Sequence, residues 1–302
     1  MRIWDDYKPG HILGIDPLGK GYKARAKVFD AFRKYFQNIP NDVSPLIQER
    51  RKILSAGSIC EEDICQIQSY LSDPNYNTIP TLFWTIYDIY SRPKHLQAIR
   101  QELYSEAVRK SNNGFTLDVA ALQTKCYILL SAFQETQRTR HSQVTWRIVV
   151  EDTLLEGQYL LKKGNYIHLP SKPIHKNSTI WGPQASIFDP YRFVPPEAGA
   201  TKRKILPSSF LPWGALPYIC PARQFISTHI LIVMALLALR VNLTPVSDKG
   251  WEGKPVLKSI EKGTLPCPKK DLCLKVSARE EGAGSWTIIM AESKTRVSLA
   301  SG

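Results

Sequence analysis

A stiff loop rich in proline and glycine, residues 210–223, runs directly into a strongly apolar stretch, residues 225–241. Residues 230–239 form its longest apolar run, ten side chains with no polar interruption. A helix that is hydrophobic on every side has no face to offer to water, so it belongs in a core. Ten residues are too few to span a bilayer, which takes about 20. The expected centre of the fold is therefore a buried helix, with the loop fixed at its mouth. That loop reads Phe210-Leu211-Pro212-Trp213-Gly214-Ala215-Leu216-Pro217-Tyr218-Ile219-Cys220-Pro221-Ala222-Arg223.

Cys220 is the residue in this loop with chemistry to offer. The N-terminus of a helix carries free N–H groups and partial positive charge, and both favour thiolate over thiol. Pro221 suits the first helical position, where its missing N–H costs nothing. A thiolate held this way can be an axial ligand of haem iron. A free cysteine can equally be a small buried hydrophobe that only packs. The loop alone leaves both readings open.

The chain has 302 residues, 43% of them hydrophobic and 10% aromatic, which is a core-forming composition for one large domain or two ordinary ones. Six cysteines (Cys60, Cys65, Cys126, Cys220, Cys267 and Cys273) show neither CxxC spacing nor a disulfide ladder. A reducing compartment follows, with Cys220 free to bind metal. The net charge of +13 is scattered, and no nucleic-acid motif accompanies it, so nucleic acid is not an expected partner. Lys202, Arg203 and Lys204 form the densest basic cluster. The opening residues are polar too early for a secretory signal, and no membrane anchor is expected in the chain.

The pattern predicts a helical first half, residues 20–140. Helices are expected over 23–37, 43–55, 93–110 and within 117–139, with a long segment from 61 to 90 interrupted by Pro74 and Pro80. Residues 144–169 read as small antiparallel β structure, with turns at Gly157 and Gly164, and residues 171–206 as loop. A C-terminal hairpin is expected over 256–278, and residues 279–302 read as a flexible tail. The fold class is α+β, mainly α with small antiparallel sheets.

Three further elements accompany Cys220. Glu135 and Arg138, three apart on a helix, share a face and can pair. Arg192 sits between Phe188 and Phe193 after the turn-forming Pro190, and its planar fork could complete a buried triad with them. Asn77 and Thr78 stand beside Pro80 in an otherwise apolar helix. The broken backbone there can hold water or a ligand.

Taken in order, these elements resemble the C-terminal part of a cytochrome P450, a haem-thiolate monooxygenase. Glu135-x-x-Arg138 matches that family's Glu-x-x-Arg pair, and Pro190-Tyr191-Arg192-Phe193 its Pro-x-Arg-Phe motif. The 210–223 loop matches its haem-binding loop. Arg192 lies 54 residues after Arg138, and Cys220 lies 28 after Arg192, both intervals the family uses. The likeness covers roughly residues 20–278, read as one haem domain from which the family's N-terminal part is missing. Asn77 to Pro80, followed by Phe83-Trp84, is similar to the fungal and animal branch that includes sterol 7-hydroxylases and prostacyclin synthase.

The resemblance implies roles. Cys220 would be the axial thiolate and metal ligand. Trp213, standing where the family usually has Phe, would pack near it, and Tyr218 and Arg223 would belong to the same cofactor-binding loop. Glu135, Arg138 and Arg192 would form the structural ion-pair network, and Asn77 and Thr78 would lie over the distal face of the haem. Residues 141–146 and 264–266 would line the substrate pocket. Departures are Leu216 and Ala222 for usual glycines, Tyr218 for a frequent propionate-binding Arg, and the absence of the usual acid–alcohol pair at Asn77.

The implied activity is oxidation of a lipophilic small molecule (a secondary metabolite, terpenoid or sterol) using O2 and electrons from an NADPH-dependent flavin reductase. Residues 202–204 are a candidate docking point for that reductase. Two alternatives keep different parts of this reading. A haem-thiolate isomerase or dehydratase of an oxygenated lipid needs no proton relay. A truncated remnant would have no catalysis. By the same resemblance the protein is expected to be intracellular and associated with the endoplasmic reticulum.

Overall fold

The computed structural model describes residues 19–69, 73–112, 114–196, 205–252, 255, 265–290 and 295–301. Its contacts divide the chain into two compact units, residues 1–76 and 77–302.

The first unit is helical. It contains α1 (Lys20–Gln37), α2 (Pro45–Ala56) and α3 (Glu61–Ser69). Both α1 and α2 pack on α3, where Ile64 is buried. Polar bonds frame that contact: Arg25 Nη2 donates to Gln66 Oε1 at 3.1 Å, and Arg51 Nη2 to Glu61 Oε1 at 2.7 Å. Pro45 opens α2 in its first turn, where proline costs no hydrogen bond.

α4 (Asp73–Tyr90) enters the second unit at Asn77. The two prolines of this region act differently. Pro74 falls in the first turn, whereas Pro80 lies inside the helix without ending it. Beside Pro80, Thr81 Oγ1 donates to the Asn77 carbonyl and Thr85 Oγ1 to the Thr81 carbonyl, each at 2.7 Å.

Next come α5 (Pro93–Glu106), β1 (Val108–Ser111), β2 (Gly114–Asp118), α6 (Val119–Thr124) and α7 (Tyr127–Arg140). The helix expected over 93–110 stops at Glu106, because β1 and β2 close an antiparallel hairpin there. Asp118 ends β2 and caps α6, accepting from the Ala121 N–H at 3.1 Å.

The following β region has β3 (Val144–Ile148) paired with β6 (Tyr166–Pro170), and β4 (Thr153–Leu155) paired with β5 (Tyr159–Leu161), all antiparallel. Two short helices, α8 (Ser171–Lys176) and α9 (Ser178–Trp181), stand in the stretch read as loop.

α10 (Arg223–Arg240) is the apolar helix. Its 18 residues have a mean hydropathy of 1.3, long and apolar enough by composition to cross a membrane. Ile230, Leu231, Met234, Ala235, Ala238 and Leu239 are all 0% exposed within the main core. They pack in one cluster with Ile99 and Leu103 of α5 and Leu129 and Phe133 of α7. A core helix is what an all-round apolar sequence predicts.

After α10, β7 (Val241–Pro245) pairs antiparallel with β8 (Leu274–Ala278). The second arm of the expected 256–278 hairpin therefore pairs with the strand that leaves α10. The first arm, 256–260, lies outside the described residues, as do Lys202, Arg203, Lys204 and Thr264.

The tail is not an appendage. β9 (Trp286–Ile289) adds to β2 in parallel, and Trp286 stacks on Phe115 with centroids 4.7 Å apart. Val297 and Leu299 are buried in the main core. Gln224 on α10 clasps Val297 through both backbone groups, accepting from its N–H at 2.8 Å and donating to its carbonyl at 3.1 Å. Val297 and Leu299 find core positions, and Trp286 packs against that core, which a local reading cannot see. The result is mainly α with small, mostly antiparallel sheets.

Candidate functional site

The site grows from α7, which is buried from Leu129 to Arg138 without a break. An ionised pair in such a position must be matched closely, since an unpaired buried charge is very costly. Glu135 and Arg138 meet that condition, with both side chains 0% exposed. Arg138 Nε and Nη2 each donate to a Glu135 carboxylate oxygen at 2.7 Å. Arg192 Nε reaches the same carboxylate, 3.1 Å from each oxygen, and the Asp189 N–H donates to it at 3.0 Å.

Two guanidinium groups against one carboxylate leave donors over, and backbone carbonyls take them. Arg138 Nη1 donates to His175 O at 2.5 Å and to Ala185 O at 2.6 Å, while Arg192 Nη1 donates to Trp181 O at 3.2 Å. The network thus staples α8, α9 and residues 185–193 onto α7. Ser131 Oγ adds a stitch by accepting the Phe193 N–H at 2.9 Å.

This staple holds the Cys220 loop at its front end. Phe210 is 0% exposed and packs with Phe193, His175 and Trp181, centroids 5.0, 5.7 and 6.3 Å away. The Leu211 N–H donates to His175 Nε2 at 2.9 Å. His175 therefore links the two parts: its carbonyl accepts from Arg138 and its ring from the loop. Burial, with His141 and Arg138 nearby, holds the His175 pKa down at about 3, so the ring stays neutral and Nε2 can accept.

The loop is also closed on itself. The Gly214 N–H donates to Leu211 O at 3.2 Å, the Tyr218 N–H to Ala215 O at 3.1 Å and the Cys220 N–H to Trp213 O at 2.8 Å. Gly214 has φ +95°, and a Cβ there would meet Tyr218 O at 3.0 Å. Only glycine fits such a backbone without strain. From β3, Arg147 Nη2 donates to Ala215 O at 2.7 Å and to Leu216 O at 3.3 Å. Its guanidinium also lies over the Tyr218 ring at 5.2 Å.

Cys220 is a free, partly exposed thiol. α10 starts at Arg223 with Ala222 as its N-cap, so Pro221 precedes the helix and is not its first residue. The Cys220 carbonyl accepts from the Arg223 N–H at 3.3 Å, which joins the loop to the helix start. Trp213 is half-buried against the main core, and its indole N–H is buried with no acceptor. The outer side of the loop is apolar and open: Leu216, Tyr218 and Phe225 are 68%, 76% and 68% exposed.

The other expected positions separate. Asn77 and Thr78 lie on α4, the first exposed and the second half-exposed. His141, expected at a pocket, is instead buried, with Nδ1 2.9 Å from Ser171 Oγ, and burial holds its pKa down at about 4. Trp146 is exposed on β3 against His168. Pro266 accepts from the Trp84 indole through its carbonyl at 2.6 Å, which ties that loop to α4. A groove of about 590 Å3 lined by Val233, Leu237, Arg240 and Arg279 includes no residue of the Cys220 loop.

The cytochrome P450 family profile matches residues 76–265, which takes in most of α4, the Glu135 network and the whole Cys220 loop. The chain belongs to the cytochrome P450 family. This P450 chain is 31% identical over 287 residues to the cytochrome P450 monooxygenase nodJ of Hypoxylon pulicicidum, covering 89% of this chain and 55% of that protein. It is 27% identical over 271 residues to a cytochrome P450 monooxygenase of Gibberella zeae, covering 86% of this chain and 52% of that protein. Human 7-alpha-hydroxycholest-4-en-3-one 12-alpha-hydroxylase is 30% identical over 181 residues, 55% of this chain and 36% of that protein. The chain spans about half the length of the first two relatives.

Sequence reasoning did not single out Arg147 and His175. Arg147 lies one residue beyond the 141–146 stretch, and its hydrogen bonds reach loop carbonyls 68 and 69 residues later, so no local signal marked it. For His175 there was none, because its role depends on two segments meeting.

Proposed function

We propose that this chain is the cysteine-bearing part of a haem-thiolate monooxygenase, with Cys220 as the residue whose thiolate would hold the iron. The observation that carries the reading is the single construction running from Glu135 through Arg138, His175 and Phe210 into the Cys220 loop. A buried ion network spent on one short loop indicates that the position of that loop matters. The residues present fit a haem group. A lone thiol stands just before a helix start, a buried indole N–H in the same loop has no acceptor, and a guanidinium lies against the loop.

Cys220 would hold the iron, and its sulfur would donate electron density to it. Arg147 would face the carboxylates of the cofactor, in the role that Tyr218 cannot fill. Bound haem supplies the one-electron and O2 chemistry of the reaction. The protein's own share is to fix the sulfur, keep the inner side of the loop dry and position the substrate. Asn77 and Thr78 carry groups that would order water near the bound substrate, as the resemblance implies.

The substrate class proposed is a lipophilic small molecule: a secondary metabolite, a terpenoid or a sterol. Support comes from the branch resemblance at Asn77 to Trp84 and from the similarity to the two fungal monooxygenases. Electrons would come from an NADPH-dependent flavin reductase, and association with the endoplasmic reticulum is part of the same proposal, motivated by the family resemblance.

The test is a carbon monoxide difference spectrum of the reduced protein after loading with haem. A red-shifted, thiolate-type Soret band that vanishes in Cys220→Ala is expected. No haem uptake by the wild-type chain, or an unchanged band in Cys220→Ala, sinks the reading.

A further inference from the structure

α10 is apolar on every side, yet the core covers only part of it. Val233, Leu236 and Leu237 are only half-buried. With Arg240 they stand at i, i+3, i+4 and i+7, which is one face of a helix. That face lines a groove of about 590 Å3, a volume usual for a small-molecule site. The other wall comes from residues 278–284. It is pinned in place: Tyr104 Oη donates to the Glu281 carbonyl and the Trp286 indole to that of Gly282, each at 3.0 Å. A Cβ on Gly282 would collide with the Leu239 carbonyl, so only glycine lets this wall sit on the helix.

Charge at the end of this groove is unbalanced. The Arg279 N–H donates to Arg240 O at 2.9 Å, so both arginines stand where the helix meets the wall. The Arg279 side chain is 10% exposed, and its Nε is buried with no acceptor. Its carboxylate partner, Glu281 at 3.3 Å, is 69% exposed. A guanidinium so deeply buried normally has a close, well-matched anion. Arg240 is exposed, and among the described residues no carboxylate pairs with it. A third cation, Arg100, is spent on the carbonyl end of α10, donating to Ala238 O at 2.8 Å and Val241 O at 3.2 Å. Burial and the nearby charge of Arg279 lower its pKa. The acids of the wall, Glu280 and Glu281, are both exposed. The groove is therefore apolar along the helix and cationic at its end.

The geometry points to a second binding site, for a lipophilic carboxylate: its chain lies along Val233, Leu236 and Leu237, and its head meets Arg240 and Arg279. The planar guanidinium fork matches a carboxylate through two parallel bonds. A groove of this volume takes one acyl chain rather than two, which favours a free acid over a phospholipid. The apolar face of α10 gains cover, and the buried guanidinium gains the anion it lacks. The site shares no residue with the Cys220 loop and does not depend on haem.

The test is a titration of the full chain with cis-parinaric acid, a fluorescent long-chain carboxylate, with palmitate and hexadecanol as competitors. Palmitate is expected to displace the probe, and hexadecanol, with the same chain and no charge, to compete about tenfold less well. Arg279→Gln should weaken binding about tenfold, and Arg240→Gln, at an exposed position, about threefold. Ala283→Phe, on the exposed rim, should block the groove with both arginines in place, which keeps the test decisive if Arg279→Gln does not fold. Photo-crosslinking with a diazirine-bearing palmitate, followed by peptide mapping, locates the site. Label within residues 233–241 or 278–284 supports it, and label confined to other peptides overturns it. Equal competition by palmitate and hexadecanol, or unchanged binding in both Arg240→Gln and Ala283→Phe, also overturns it. Capture on phosphatidylglycerol vesicles that Arg240→Gln abolishes, with no binding of free palmitate, replaces the carboxylate by a lipid headgroup and rejects the proposal. None of these readouts involves haem, so failure here leaves the reading of Cys220 untouched.

Discussion

Replacing Glu135 with Gln tests the central construction. The change keeps the shape of the side chain but removes its charge. It leaves Arg138 at 0% and Arg192 at 12% side-chain exposure without their shared anion. The new amide nitrogen would also face a guanidinium, donor against donor. Breaking one partner of a buried pair costs about 3–5 kcal/mol. The backbone carbonyls around Arg138 soften that cost without supplying the missing charge, so we expect about 3 kcal/mol, the low end of that range. Total stabilities are about 5–15 kcal/mol, so the loss is a large fraction. In a unit of this size it corresponds to roughly 6–12 °C in Tm, at about 2–4 °C per kcal/mol. The assay is urea and thermal unfolding followed by tryptophan fluorescence, since Trp181 and Trp213 lie at the network and on the loop. A double-mutant cycle with Arg192→Gln should show coupling between the two changes. A loss below about 1 kcal/mol, the usual value of an exposed pair, would refute the argument that this network fixes the loop.

Two further perturbations separate clamp from cap. Arg147→Ala removes two hydrogen bonds to the loop and the cation over Tyr218. Haem transfer to a competing apoprotein should be about tenfold faster, as befits the loss of one charge-assisted bond of about 1.5 kcal/mol. An unchanged transfer rate would show that the guanidinium holds nothing. Glu102 on α5 accepts the Ile128 N–H at 2.6 Å and the Leu129 N–H at 3.0 Å at the start of α7. Burial pushes its carboxyl up from 4.5 to about 7, against the pull of those bonds. A folded pKa above the unfolded value means that this group's contribution is full below pH 4.5 and is lost as the pH rises to about 7. Glu102→Gln should flatten that slope in urea midpoints measured across the window, and a slope equal to wild type would show that other groups set it.

Several elements were legible because their cause is local. Glu135 and Arg138, three apart, had to share a helix face. The turns at Gly157 and Gly164 marked short β arms, and β4 and β5 pair around the first of them. The apolar run before Arg240 had to be core. Other elements depended on partners distant in sequence. β8 alternates well enough to be a strand, but its own residues do not say that it pairs with β7 rather than with its near neighbours. β9 lies in a polar, glycine-containing tail and pairs with β2, more than 160 residues earlier. β2 alternates buried and half-buried residues, but that pattern carries no mark of which distant strand will be its partner.

The sequence by itself determined the kind of chemistry available: one thiol at the mouth of an apolar helix, an acid–arginine pair at helical spacing, and an arginine set between aromatics. These follow from residue identity and local geometry. Tertiary structure alone decided that Arg192 closes on the Glu135 carboxylate at 3.1 Å and that His175 ties this network to the loop. It alone brought Arg147 across from β3 and left the Trp213 indole N–H buried without an acceptor. Those are meetings between segments, governed by the burial of charge and of polar atoms, and burial is a property of the whole packed chain.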